Sequence, residues 1–118
     1  MIYLDSSAIL KLVFQEAETV PPRGWLDANA EHVVSSELAK VEVTVAARRI
    51  EPAALPAARA AITGIDLVPL SGAVVNLAAE TEQKPRSLDA LHLASAVLLG
   101  DELTHFVTYD HRLASAVR

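Results

Sequence analysis

Four acidic residues occupy positions where a carboxylate is costly unless something answers its charge. Asp5 ends the apolar run Ile2-Tyr3-Leu4, and Asp110 ends the run Phe106-Val107-Thr108-Tyr109. Asp89 opens the most apolar stretch of the chain, Leu88 to Leu99. Glu42 shares a helical face with Leu38, Val41 and Val45 on a wheel of roughly 100° per residue. An unpaired charge taken out of water is strongly unfavourable. Two like charges about 4 Å apart repel by roughly 4 kcal/mol at an effective dielectric of about 20. A hard divalent cation relieves both problems, and oxygen-only donors suit Mg2+ or Mn2+. The chain has no cysteine, and no histidine pair has zinc-type spacing. A carboxylate-held Mg2+ or Mn2+ lends itself to phosphodiester hydrolysis, because it activates a water and stabilises charge on the phosphate and the leaving oxygen.

Each acid also has a plainer account. Asp5 and Asp110 can cap the helices that follow them. Asp89 can complement a helix dipole, and Glu42 can pair with Lys11 or Arg49. These accounts leave a group of acids without matching bases, so the elements that would bring the acids together decide the matter.

Ile2 to Asp5 read as a strand buried on both faces. A helix follows from about Ser7 to Gln15, capped by Ser6 or Ser7. Pro21-Pro22 break the chain and start a helix from about Pro22 to Ala30, with Trp25 and Leu26 on its buried side. Val33 to Ser35 form a second strand, and Ser36 caps a helix over Glu37 to Ile50. Glu37 and Lys40 lie off its apolar face as solvated charges. Pro52 starts a helix to about Ile62 that Gly64 ends. Asp66 to Leu70 form a third strand, with Pro69 marking its end or an edge position. Ser71 caps a helix to about Glu82. Residues 83–86 are a loop, and Ser87 caps the helix from Leu88 to Leu99. After the turn Gly100-Asp101-Glu102, Phe106 to Tyr109 form a fourth strand, and His111 to Val117 begin a last helix. Strands alternating with helices predict a mostly parallel α/β sheet with helices on both faces. If the strands are parallel, Asp5 and Asp110 leave the same sheet edge, where open α/β sheets place their ligands.

The 118 residues suffice for a single domain over 1–118 with a real core. Hydrophobic residues make up 52%, which excludes a disordered chain, and aromatics only 4%, which leaves Ala, Leu and Val to fill the core. No stretch is apolar enough to span a bilayer and no signal peptide is apparent, so a cytoplasmic protein is expected. The net charge of −5 argues against a protein that coats nucleic acid in general.

Taken in order, four segments resemble PIN-domain proteins, and among them the VapC-type toxins of bacterial toxin–antitoxin pairs. They are Ile-Tyr-Leu-Asp5-Ser-Ser7-Ala, the helix start from Ser36 to Glu42, Arg86-Ser-Leu-Asp89-Ala-Leu-His92-Leu-Ala-Ser-Ala, and Phe-Val-Thr-Tyr-Asp110-His-Arg-Leu. The segment around Asp89 is the most specific. The resemblance implies a PIN-like parallel sheet of four or five strands and a Mg2+- or Mn2+-dependent endoribonuclease that hydrolyses RNA. Asp5, Glu42, Asp89 and Asp110 would be its catalytic, metal-holding acids. Ser7 matches a hydroxyl that supports the first acid. The resemblance also implies a VapB-type antitoxin that blocks the acidic pocket, and a homodimer.

Two features depart from the family pattern: Arg112 stands where many members carry a further acid, and the sequence ends at Arg118, where members often continue into a fifth strand. His92, three residues after Asp89, is placed to hydrogen-bond to it and support the site, since a metal-activated water needs no histidine base. Lys84, Arg86 and Arg112 are placed to contact RNA phosphates. The competing reading is a binding module whose acidic pocket receives a basic segment of a partner. A phosphoryl-receiving signalling domain would need a late lysine, and none follows Lys84; a doubly wound phosphatase would carry Asp-x-Asp after the first strand, where Ser6 and Ser7 stand.

Overall fold

Four parallel strands form one sheet in the order β3-β2-β1-β4. They are β1 Ile2–Leu4, β2 Val33–Ser36, β3 Asp66–Val68 and β4 His105–Val107. The computed structural model describes residues 1–14, 32–81 and 87–109. The expected helix at Pro22 to Ala30, the loop 83–86, Asp110 and the final helix lie outside the described residues.

β1 lies inside the sheet. Tyr3 stands opposite Val34 on one side and Phe106 on the other. Its three residues are buried, so each contributes on the order of 1.5–3 kcal/mol of apolar burial. Alternation along the strand divides them between two cores. Ile2 and Leu4 join Ala8 and Ile9 of α1 (Ser6–Phe14), Ala39, Val43 and Ala47 of α2 (Glu37–Ile50), and Ala58 and Ile62 of α3 (Leu55–Thr63). Tyr3 joins Val34, Ala96 of α5 (Ser87–Val97), and the flanking Leu99, Leu103 and Phe106. α4 (Gly72–Ala79) packs on α5. Helices therefore cover both faces, as the alternating pattern predicted. No described helix is long and apolar enough to cross a membrane.

The strand order sets the position of the site. The chain steps outward from β1 through β2 to β3, then returns to lay β4 on the other side of β1. The order reverses between β1 and β4, and open α/β sheets bind their ligands at the carboxyl ends of the strands at such a switch point.

Several local expectations hold. Ser36 accepts from the backbone N–H of Leu38 at 3.1 Å and caps α2, and Ser71 accepts from Val74 at 3.3 Å and caps α4. β3 is an edge strand that stops at Val68, before Pro69. Leu70 N–H then leaves the ladder for Glu37 Oε1 at 2.8 Å. Others need correction. Asp5, not Ser6 or Ser7, caps α1: its Oδ1 accepts from Ala8 N–H at 3.0 Å and its carbonyl from Ile9 N–H at 3.2 Å. Ser87 lies within α5 rather than before it. Pro52 opens a short 3-10 turn, Pro52–Ala54, before α3 starts at Leu55. The buried stripe of α2 is Ala39, Val43 and Ala47, whereas Val41 and Val45 are exposed. Small residues at four-residue spacing, Ala39, Val43 and Ala47, let α2 lie close to its neighbours, while Val41 and Val45 fall on the open side.

Candidate active site

Asp5 begins where β1 ends, and both β1 and the neighbouring β4 fix its backbone. Its backbone N–H donates to Val107 O at 3.2 Å, which ties it to the end of β4. Ser7 Oγ donates to Asp5 Oδ1 at 2.6 Å, and that oxygen also accepts the helix-start N–H of Ala8. Thr108 Oγ1 donates to Oδ2. Ser7 in turn accepts from Tyr109 N–H at 2.9 Å, so one hydroxyl joins α1, Asp5 and the segment after β4. Asp5 is 3% exposed. Among the described residues its partners are neutral donors, which stabilise a carboxylate without cancelling its charge.

Glu42 reaches the same edge from α2. Its Oε1 accepts from Ser6 Oγ at 2.6 Å and lies 2.6 Å from His92 Nε2. His92 comes from α5, on the other side of the sheet, and is 2% exposed. Its second nitrogen, Nδ1, lies 2.7 Å from the Tyr3 hydroxyl. The Tyr3 ring meets His92 edge-on at 5.9 Å and stacks on Phe106 at 5.1 Å. The two helical layers therefore meet over the end of β1 through a hydrogen-bonded chain from Tyr3 to His92 to Glu42, with Ser6 beside it.

Burial pushes the Glu42 carboxyl up. The hydrogen bonds from His92 and Ser6, together with the charge of His92, outweigh that and hold it below the usual carboxylate range. Tyr3 is driven well above the ordinary tyrosine range. Burial does most of this against the nearby Ser95 hydroxyl, then the charge of Asp5 raises it, Ser35 opposes, and Glu42 raises it further. Both acids thus act on the same buried phenol. Tyr3 stays protonated, so its hydroxyl has a proton to donate to Nδ1 of His92.

A family model for the PIN domain matches residues 2–118. The chain belongs to the PIN domain family. It is similar to Ribonuclease VapC47 of Mycobacterium tuberculosis (strain CDC 1551 / Oshkosh), at 45% identity over a 123-residue alignment that covers 100% of the chain and 90% of the relative. It is also similar to Ribonuclease VapC35 of Mycobacterium tuberculosis (strain ATCC 25618 / H37Rv), at 40% identity over 98% of the chain and 89% of that relative. A third relative, Ribonuclease VapC46 of the same strain, is 40% identical over 99% of the chain and 90% of its own length.

In this PIN domain the sequence-marked residues fall into three groups. Asp5, Ser7, Glu42 and His92 lie at the carboxyl edge around β1. Ser7 supports Asp5 as expected. His92 was expected to bond Asp89, its neighbour one helical turn earlier; instead its two ring nitrogens face Tyr3 and the Ser6–Glu42 pair. Glu42, expected to pair with Lys11 or Arg49 if it were structural alone, takes Ser6 and His92. Asp89 is half-buried in the first turn of α5, on the helix face that carries His92. Asp110, Lys84, Arg86 and Arg112 lie outside the described residues. Among the described residues no three of His, Asp and Glu form a group able to hold a metal.

Tyr3, Ser6 and Thr108 also bond the residues of this edge, Tyr3 to His92, Ser6 to Glu42 and Thr108 to Asp5, contacts that the sequence reading passed over. One signal was available for Tyr3: a phenol in a strand buried on both faces needs a polar partner. Ser6 was read as a cap, and Thr108 as an ordinary strand residue.

Proposed function

We propose that this PIN domain is a metal-dependent endoribonuclease, the toxin of a type II toxin–antitoxin pair, whose activity is carried by Asp5, Glu42, Asp89 and Asp110. The observation behind this reading is the pair Asp5 and Glu42, two carboxylates held at one sheet edge by hydroxyls, a backbone N–H and an imidazole. Their donor set fits a hard cation. Asp5 Oδ2 receives one hydrogen bond and Glu42 Oε2 none among the described residues, so each offers an oxygen, and neither acid has a lysine or arginine partner there. This reading adds to the pair Asp89, in the first turn of α5, and Asp110, the residue after Tyr109 in the sequence. Mg2+ or Mn2+ would supply an activated water and neutralise charge on the scissile phosphate.

The protein's own contribution is position. Ser7 and Thr108 hold Asp5 in one rotamer, and His92 and Ser6 do the same for Glu42, which keeps the acids ionised and in place before substrate arrives. In this reading Lys84, Arg86 and Arg112 are the residues that contact RNA phosphates. The partner that restrains the enzyme is a VapB-type antitoxin with a basic segment for the acidic pocket. The toxin acts as a homodimer in the cytoplasm, where RNA is available.

The purified chain, freed of antitoxin and incubated with structured RNA and Mg2+ or Mn2+, tests this. Cleavage that disappears with a chelator and in Asp89→Asn is expected. Cleavage unchanged in Asp89→Asn would overturn the assignment. No cleavage together with tight binding of a basic peptide would favour the binding-module reading instead.

A further inference from the structure

Glu42 is supported directly by Ser6 and, through His92, by Tyr3. The bonds around Glu42 are lopsided. Oε1 takes both partners, Ser6 Oγ and His92 Nε2, each at 2.6 Å, and these two partners are themselves only 3.1 Å apart. Oε2 takes none among the described residues. An sp2 carboxylate oxygen has two lone pairs, so Oε1 is saturated and Oε2 is the oxygen left for a cation. The direction of the His92 bond is not set by Glu42 alone. A neutral imidazole can present either nitrogen as donor, and the hydrogen bond at the far nitrogen selects which. That far partner is Tyr3, 2.7 Å from Nδ1. Tyr3 is fully buried, and stacking on Phe106 holds its ring. Its hydroxyl therefore cannot turn away to water.

We propose that Tyr3 and Ser6 are positioning residues for Glu42: Tyr3 fixes the Nε2–H tautomer of His92, and His92 and Ser6 together clamp Oε1 so that Oε2 alone faces the cation. This deepens the metal-dependent reading above and rests on it. The clamp spans β1, α1, α2 and α5, so the three-dimensional fold is what presets the ligand. Ser6 has a second consequence. Asp5 and Ser6 are adjacent, so one backbone step couples the rotamers of the two acids at the end of β1.

Two measurements separate this proposal from the reading beneath it. The first is the 15N pattern of the His92 ring in the metal-free chain by long-range NMR correlation. The parent shows a single Nε2–H tautomer, and Tyr3→Phe, which keeps the ring stack, shows a mixture. An Nδ1–H tautomer in the parent, or an unchanged pattern in Tyr3→Phe, would overturn the proposal whatever the metal chemistry is. The second is Mn2+ binding to the full chain by calorimetry. Supporting residues of this kind alter metal affinity by about 10–100-fold when lost. Ser6→Ala raises Kd by about tenfold and Ser6→Thr restores it; Tyr3→Phe, one step further away, raises it by about fivefold. Ile62→Val, in the opposite core, leaves Kd unchanged. Parental Kd in both Ser6→Ala and Tyr3→Phe, with binding abolished in Glu42→Gln, would overturn the clamp and leave the metal reading intact. An equal loss in Ile62→Val would reduce the effect to general destabilisation and overturn it too. A parent chain that binds no Mn2+ would overturn the metal reading itself and the proposal with it.

Discussion

Replacing Asp5 by asparagine separates its structural task from its proposed chemical one. Asparagine keeps Oδ1, so the bonds from Ser7 and Ala8 N–H survive. Oδ2 becomes an amide nitrogen, and the Thr108 hydroxyl can turn from donor to acceptor. Three charge-assisted bonds thus become neutral ones, a loss of about 1 kcal/mol each. Against this stands the desolvation of a carboxylate that is 3% exposed, a penalty of several kcal/mol that the amide escapes. The terms oppose each other at similar size. The metal-free variant is therefore expected within about 2 kcal/mol of the parent, or roughly 8 °C in Tm. Mn2+ distinguishes the two proteins. At a free concentration of about 100 times Kd the parent gains about 2.7 kcal/mol, near 10 °C, and the variant gains little. Differential scanning calorimetry with and without Mn2+ reads both quantities. An equal Mn2+-induced rise in parent and Asp5→Asn would contradict a ligand role for Asp5. A variant that fails to fold without metal would make Asp5 a structural cap first and foremost.

Two further outcomes follow from single residues. The folded pKa of Glu42 lies below its ordinary 4.5, so its ionised form adds stability that is fully present above that ordinary value and is lost as pH falls through the lower folded value. In urea unfolding, the stability difference between the parent and Glu42→Gln shrinks as pH falls across that acid window; a difference that grows there would contradict the bonding described. Gly100 adopts φ +59°, and a Cβ there would meet no atom within 4 Å, so Gly100→Ala pays only the left-handed backbone penalty. That amounts to about 1–2 kcal/mol with RNA cleavage unchanged, and an unaltered urea midpoint would be evidence against it.

The parts of this molecule that depend on local chemistry were legible in its sequence. Ser36 and Ser71 announced their helices, Pro69 the end of an edge strand, and Asp5 its place at the end of a buried one. Alternation of strand and helix sufficed for a parallel sheet covered on both faces. The α2 register was not legible, because alanine and valine alternate around that helix and apolarity alone does not say which side is packed closely. Close approach selected Ala39, Val43 and Ala47, and left Val41 and Val45 outside. The partners of His92 were not legible either. Spacing along α5 suggested Asp89, but the contacts come from residues 89 and 50 positions away, Tyr3 and Glu42, which only the meeting of the two helical layers brings together. Ser6 was hidden by its neighbour: a serine at a helix start reads as a cap, and Asp5 had already taken that role.

Manganese soaked into crystals of the free protein, located by its anomalous scattering, tests the carboxylate centre without reference to any substrate. The account predicts one peak at the carboxyl ends of β1 and β4, within about 2.0–2.3 Å of both Asp5 Oδ2 and Glu42 Oε2, as expected for a hard cation on carboxylates. A peak bound elsewhere, one that touches Glu42 through Oε1, or none at saturating metal would contradict it.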